Sequence, residues 1–410
     1  MIEGQLNHPL IILLVGCIIV LAILVRNGFN RAGLPSLVGF MILGFLLNLA
    51  DFIYGFLSPR AREIFEFLAQ LGIITLLFRI GLESNIFKLL GQLRRASYVW
   101  LSGVGLSAAL GYGTAYYILG LALIPSLFIA IALTATSVGV SVGIWQEAGA
   151  MDSPTGELLL DVAEMDDISA IILMALLFAV VPVLTTGDRS VLPVLGQTIA
   201  LLTVKLVAFA GGCYLFAHFL EQRLTTFFQE FASPPAPMLV VAGIGFVMAA
   251  LAGLLGFSVA IGAFFAGLIF SRDPASVTID ASFGPVYELF SPFFFIGIGL
   301  NVDPHLLVGA LGLGAVLLVG AVAGKVLGHG VPTWFALGGS SALLLGLSMI
   351  PRAEIAMIIM EQGLELGPWA VPPEAYAAMV MVSAATCLFP PLLVRSLLRR
   401  WPQPQEEGSR

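Results

Sequence analysis

Charge is what this chain has least of. Only 10% of its 410 residues are Asp, Glu, Lys or Arg, whereas 59% are hydrophobic. A soluble domain carries roughly 25% charged residues to wet its surface. That deficit, with a mean hydropathy of +1.02, excludes a soluble protein and points to a polytopic one in a lipid bilayer. Basic charge is scarcer still: 18 Lys and Arg against 25 Asp and Glu leave a net charge of −7 and no basic patch. Nucleic acid is thereby excluded as a partner. Cysteine is nearly missing. Cys17, Cys213 and Cys387 are odd in number, far apart and set in apolar runs, so neither a disulfide framework nor a metal spacing follows from them. No nucleophile–base constellation or phosphate-cradling motif occurs, which argues against an enzyme. No cofactor is expected.

What fills the chain instead is a series of apolar runs, with 45 glycines suited to close helix packing in lipid. Runs of roughly 17 to 25 residues are long enough to span a bilayer, and about thirteen are present. They lie near 9–26, 35–50, 63–81, 97–120, 125–147, 157–183, 191–220, 237–254, 256–271, 283–300, 306–328, 334–362 and 374–398. The first run, Pro9 to Val25, is followed rather than preceded by Arg26 and has no clear cleavage site, so it reads as a retained helix rather than a signal peptide. With an odd number of spans the termini face opposite sides. Arg26, Arg31, Lys88, Arg94, Arg95, Arg223, Arg272, Arg395, Arg399, Arg400 and Arg410 then share the C-terminal side, against Arg60, Arg62 and Arg189 opposite. The positive-inside rule makes the C-terminus cytoplasmic and the N-terminus external, in the cytoplasmic (inner) membrane. One span more or fewer would scramble that asymmetry. Residues 399–410 read as a short polar cytoplasmic tail, without a nucleotide-sensing domain.

Two spans are interrupted near their middles. The fifth reads Leu133-Thr134-Ala135-Thr136-Ser137-Val138-Gly139-Val140-Ser141, and the twelfth Gly346-Leu347-Ser348-Met349-Ile350-Pro351-Arg352-Ala353-Glu354. Pro351 has no N–H and frees the carbonyl of Leu347. Seven spans apart, the two cross the membrane in opposite senses. Matching interruptions in two halves describe an inverted-repeat secondary transporter. Unwound backbone survives at that depth only where protein or an aqueous cavity satisfies it. Its carbonyls, with the hydroxyls of Thr134, Thr136 and Ser137, suit a dehydrated cation.

Within the apolar stretch from Leu158 to Val181 stand Glu164, Asp166 and Asp167. A charge at bilayer depth is costly and marks function by default, and adjacent carboxylates repel each other, which raises at least one pKa. A carboxylate poised between a proton and another cation is the central part of an ion-coupled transporter. Neighbours on a helix point about 100° apart, so one aspartate lines an ion path while the other meets a partner. Lys325, deep in the eleventh span, is the natural one. Glu164, three residues before Asp167, shares its face and adds a ligand or neutralises Arg352. Arg352 and Glu354 either join this charge network or compensate half-helix dipoles. Arg79 and Glu83, four apart, read as a local pair, Lys205 as a snorkelling residue, and His329 as a structural or pH-sensing histidine one turn after Lys325.

These features resemble the cation–proton antiporter-2 family over nearly the whole chain. The residues that carry the likeness are Phe78-Arg79-Ile80-Gly81-Leu82-Glu83, Thr134 to Ser137, Trp145-Gln146-Glu147-Ala148-Gly149 and the paired aspartates, then Gly256-Phe257-Ser258-Val259-Ala260-Ile261-Gly262-Ala263-Phe264-Phe265-Ala266-Gly267. Phe293 to Leu300, Lys325 and Ile350-Pro351-Arg352-Ala353-Glu354 complete it, and order and spacing together make the match specific. The resemblance implies an all-α membrane fold of thirteen helices with two crossing broken helices. It implies a homodimer, with 1–96 and 237–303 as dimerisation scaffold, 97–190 and 304–398 as the core that moves, and 191–236 as linker. Asp167 would carry the ion, a transient Na⁺ shared with Thr136, and Asp166 would pair with Lys325. The family associates paired aspartates with electrogenic exchange. Ala163-Glu164-Met165 departs from it, since relatives carry apolar residues there. The expected activity is antiport of Na⁺, with Li⁺ or K⁺ as alternatives, against H⁺ by alternating access. A K⁺/H⁺ antiporter, a sodium-coupled organic anion symporter and an ion channel are the rivals.

Overall fold

In lipid no water serves the backbone, and the helix is the element that satisfies a single segment internally. The computed structural model of the chain describes residues 2–83, 86–185, 191–216, 219, 236–255, 258–271 and 276–403. Arg189, Arg223, Arg272, Arg410, most of the linker after Phe216, Gly256 and Phe257 of the glycine-rich motif, and the tail from Pro404 lie outside these residues.

All regular structure among the described residues is helical. In chain order the helices are α1 (Ile2–Arg31), α2 (Ser36–Tyr54), α3 (Pro59–Glu83), α4 (Ile86–Gly113), α5 (Leu123–Ala132), α6 (Val138–Glu147), α7 (Pro154–Thr185) and α8 (Val191–Phe216). There follow α9 (Ala236–Leu254), α10 (Val259–Phe270), α11 (Ser276–Leu300), α12 (Leu307–Leu337), α13 (Gly339–Ser348), α14 (Glu354–Leu366) and α15 (Pro373–Arg400). Seven of the described helices are long and apolar enough to cross a membrane, and shorter apolar helices include α5, α10 and α13. Most described parts of the apolar runs fall on one helix, and the fifth and twelfth are each interrupted between two half-helices.

Several boundaries differ from the sequence reading. Helix α4 begins at Ile86, so Lys88, Arg94 and Arg95 are helical and not loop residues. After Gly113 it passes into a π-helical turn, Thr114–Ile118. The eleventh run continues to Leu337 with Pro332 inside it, taking residues assigned to the twelfth. It stops at Gly338, whose φ of 91° suits glycine far better than any residue with a Cβ.

The described chain falls into two compact units. The first comprises residues 1–72, 102–160 and 289–410. Here Arg62 pairs with Asp51, whose other oxygen accepts from Leu57 N at 2.6 Å, and Asn48 donates to the Val302 carbonyl at 2.7 Å. Helices α2 and α11 touch backbone to backbone: a Cβ on Gly44 would lie 2.0 Å from the Ile296 oxygen. The second unit comprises residues 73–101 and 161–288. Phe78 packs against Phe270 and Phe283, and Gly81 meets Gly267 so closely that a side chain on either would strike backbone. Trp100 Nε1 donates to Ser169 Oγ at 3.3 Å, tying α4 to α7. Interfaces of small residues in which backbones approach this closely are how helices associate in lipid.

Candidate ion site

Both helix interruptions lie in the first unit and are joined by hydrogen bonds. Leu133–Ser137 separates α5 from α6, and Met349–Ala353 separates α13 from α14. Ser137 is extended (φ −84°, ψ 92°) and its N–H donates to the Pro351 carbonyl at 2.8 Å. Thr136 Oγ1 donates to the Met349 carbonyl at 3.5 Å, Ser141 Oγ to the Ser348 carbonyl, and Trp145 Nε1 to Ser348 Oγ at 2.9 Å. Thr136, Ser137, Ser141 and Trp145 thus all reach partners between Ser348 and Pro351, so the two breaks meet side by side. The Leu347 carbonyl, expected to be free, accepts from Ile350 N at 3.2 Å in a tight turn.

Two cations are sealed into this crossing, both fully buried. Lys325 Nζ donates to the Thr134 carbonyl at 2.6 Å, while the Thr134 hydroxyl bonds back to the Ile131 carbonyl at 2.7 Å. Thr134 thus serves the lysine through its backbone. The Arg352 guanidinium donates to Ala135 O (3.3 Å), Ile350 O (3.4 Å) and Ala321 O (3.1 Å). Its own backbone is held by α15: the N–H donates to Thr386 Oγ1 at 3.2 Å, and the carbonyl accepts from Ser383 Oγ at 2.7 Å. Arg352 therefore fastens both breaks to α12 and α15. Glu354 stands in the first turn of α14, where the helix dipole favours a carboxylate. Ser137 Oγ and, on α4, Ser107 Oγ are buried without a hydrogen-bond partner.

The aspartates belong to the second unit. Asp166 is 0% exposed whereas its neighbour Asp167, a 100° step round the helix, is partly exposed. The Asp166 carbonyl accepts from Ser169 Oγ at 2.9 Å. Glu164 is half-buried and Asp161 buried. The structure thus brings Thr134, Thr136, Ser137, Lys325, Arg352 and Glu354 together in one unit, and Glu164, Asp166 and Asp167 on α7 in the other. Among the remaining charges, Arg79 Nε bonds Glu83 at 2.8 Å and the guanidinium stacks over Tyr287 at 4.6 Å. Lys205 is exposed on α8. His329 is fully buried, its Nδ1 3.1 Å from the Lys325 carbonyl.

The sequence reading missed the cross-linking role of Ser141, Ser348 and Trp145. Trp145 belongs to a motif that carries the family likeness, but a side chain's reach to a residue two hundred positions away leaves no local signal.

Long apolar helices with two interruptions that meet and cross-link define a membrane fold of the inverted-repeat transporter class. The chain belongs to the sodium/hydrogen exchanger family: the description "Sodium/hydrogen exchanger, transmembrane" matches residues 16–400. It is an integral membrane protein. It is 30% identical over 372 residues to the high-affinity Na⁺/H⁺ antiporter NhaS3 of Synechocystis, covering 86% of this chain and 76% of that one. With a Na⁺/H⁺ antiporter of Enterococcus hirae it shares 26% identity over 389 residues, covering 94% and 97%. Its fold matches the sodium proton antiporter MjNhaP1 of Methanocaldococcus jannaschii with a TM-score of 0.67, at 16% identity and 96% coverage of both chains.

Proposed function

We propose that this protein is a secondary active antiporter that exchanges Na⁺ for protons across the cytoplasmic membrane, with its N-terminus outside and its C-terminus in the cytoplasm. The observation that carries the reading is the asymmetry of the carboxylate pair on α7, in a chain whose family match runs almost end to end. Asp166 is sealed and Asp167 is open in part. A carboxylate on a partly exposed residue at this depth accepts either a proton or a cation, and competition between the two couples their movements without simultaneous binding. Asp167 is the exchanging group, with Thr136 and Ser137 as added oxygen ligands, and Glu164 tunes ion choice. Asp166 pairs with Lys325, which steadies the unwound backbone through Thr134. Electrogenic exchange takes a second proton per Na⁺, which Lys325 releases as the cation displaces it from its aspartate.

Residues 97–190 and 304–398 move against a dimeric scaffold of 1–96 and 237–303, with 191–236 as linker, so that the site faces each side in turn. The cation and the proton are substrates, and neither a resident cofactor nor an enzymatic step is needed.

The test is cation-induced proton movement in proteoliposomes with an imposed pH gradient, comparing Na⁺, Li⁺ and K⁺ for the wild type and Asp167→Asn. Na⁺ is expected to dissipate the gradient with the wild type and not with the variant, which should melt normally. Dissipation by K⁺ in place of Na⁺ would select the potassium antiporter. Exchange retained by the variant removes Asp167 from its role, and sodium-driven uptake of an organic anion without proton movement would replace antiport with symport.

A further inference from the structure

Away from the breaks, the first unit holds a second network around a carboxylate that the exchange cycle above does not use. Glu361 lies near the end of α14 and is half-buried. One of its oxygens accepts from Asn301 Nδ2 at 2.6 Å, on the exposed side, just beyond α11. The other oxygen contacts the hydroxyl of Tyr376, fully buried on α15. The same hydroxyl lies 3.3 Å from the carbonyl oxygen of Ile298 on α11.

A phenol carries one proton. With Glu361 ionised, both the carboxylate and the Ile298 carbonyl face Tyr376 as acceptors, and its single O–H serves only one of them. The shorter contact goes to the carboxylate. Adding one proton resolves the conflict: Glu361 donates to the Tyr376 oxygen, and Tyr376 donates to Ile298 O. Each oxygen in the row then has a partner, so the arrangement accommodates the protonated acid without moving a heavy atom. Asn301 is exposed, so the Glu361 oxygen it touches stands next to the exposed side.

We infer that Glu361 is a second proton-binding site, distinct from the Asp166–Asp167 pair, and that its occupancy sets the exchange rate as external pH changes. The rate effect rests on the antiport reading, in which α11 belongs to the scaffold and α14 and α15 to the moving core. Ionised Glu361 binds Asn301 through a charge-assisted hydrogen bond, about twice as strong as a neutral one. Protonation weakens that link and makes the Tyr376–Ile298 bond instead. Either way the hydrogen bonds that change run between α11 and the α14–α15 pair. The titratable groups bearing on Glu361 are Tyr376, Glu365 on the same helix and Glu66 on α3. Asn301 is its neutral donor.

The experiment has two arms on the full-length protein. In the first, infrared difference spectra of the purified protein are recorded through a pH titration, following the stretch of the protonated carboxyl. Asp167 titrates in the same spectra, so the expected result is the loss of one component of the carboxyl band in Glu361→Gln, a component retained in the wild type, Glu365→Gln and Glu66→Gln. In the second, exchange by proteoliposomes is measured against external pH. Gln at 361 mimics the protonated acid, since its amide donates to Tyr376, so one step of the pH profile should vanish while saturation by the cation persists. Tyr376→Phe should shift that step without removing it. An unchanged carboxyl band in Glu361→Gln, or a pH profile that superimposes on the wild type, overturns the inference. The infrared arm needs no transport, so a missing component supports the proton site even in a protein that exchanges no cation.

Discussion

Arg352 shows how a single side chain can hold irregular backbone at membrane depth. A buried carbonyl without a donor costs about 1–3 kcal/mol, and the two breaks expose several. The planar guanidinium reaches Ala135 O, Ile350 O and Ala321 O at once. Ala321 lies within α12, and its carbonyl is also positioned to accept from the helix, but Ala135 and Ile350 have left theirs. Arg352→Ala therefore strands those two acceptors and opens a cavity, a loss on the order of 3 kcal/mol or more. A lowered melting temperature in detergent is expected, together with lost transport. Arg352→Lys should recover part of the stability only, because an ammonium on a flexible stem cannot replace a rigid fork of donors. Melting of Arg352→Ala at the wild-type temperature would show that the carbonyls find other donors. The sequence marked Arg352 as functional because it is a charge in an apolar span, but gave two roles for it, a charge network or dipole compensation. The role seen, capping carbonyls from two distant segments, depends on which backbone groups the fold leaves bare, and no local pattern encodes that.

At the scale of the element, the breaks are conspicuous in sequence because they violate helix chemistry. Pro351 cannot donate, and hydroxyls crowd Thr134 to Ser137 where a continuous helix would prefer alkyl groups. Their partners are less visible. Pro351 leaves the Leu347 carbonyl without its helical donor, yet a tight turn closes its bond with Ile350 N. Helix ends were legible to within a few residues where a glycine or proline stops the chain, as at Gly55 after α2. They were misplaced where polarity misled. Arg94 and Arg95 suggested a loop, but α4 runs straight through them. Pro332 sits inside α12, which ends at Gly338 several residues further on. A helical alanine is favoured over proline by about 3 kcal/mol in a helix interior, so Pro351→Ala offers α13 and α14 a route to merge. That gain is opposed by the bonds from Ser137 N to Pro351 O and from Thr136 to Met349 O. The opposing terms leave melting within a few degrees of the wild type, whereas exchange should be lost as the segment straightens. Normal exchange in this variant would mean that the crossing is kept open by its cross-links and not by the missing N–H.

For the whole molecule the decisive quantity is the number of crossings, because one more or fewer inverts everything downstream of it. Among the described residues, length and hydropathy single out seven helices as spans, and they leave the half-helices open. Each half of α5–α6 is 10 residues, about 15 Å at 1.5 Å per residue, half the thickness of the hydrocarbon core. Such a pair either crosses the bilayer end to end or dips in and returns. The proposed orientation takes the first, since an odd count collects most arginines and lysines on one side. Ser58, in the turn between α2 and α3, and Asp152, between α6 and α7, give a direct reading. Three elements separate them: α3, α4 and the α5–α6 pair. Single cysteines introduced as Ser58→Cys and Asp152→Cys, with Cys17, Cys213 and Cys387 replaced by Ala, can be treated with a membrane-impermeant maleimide in sealed vesicles of known sidedness. Ser58→Cys should react in right-side-out vesicles and Asp152→Cys only in inverted ones. The reverse pattern would turn the protein over in the membrane, placing Glu361 and Asn301 on the cytoplasmic side, and the pH that bears on them would be the internal one. Labelling of both from the same side would make the half-helices a re-entrant pair, and the alternation of loop charge on which the orientation rests would fail with it.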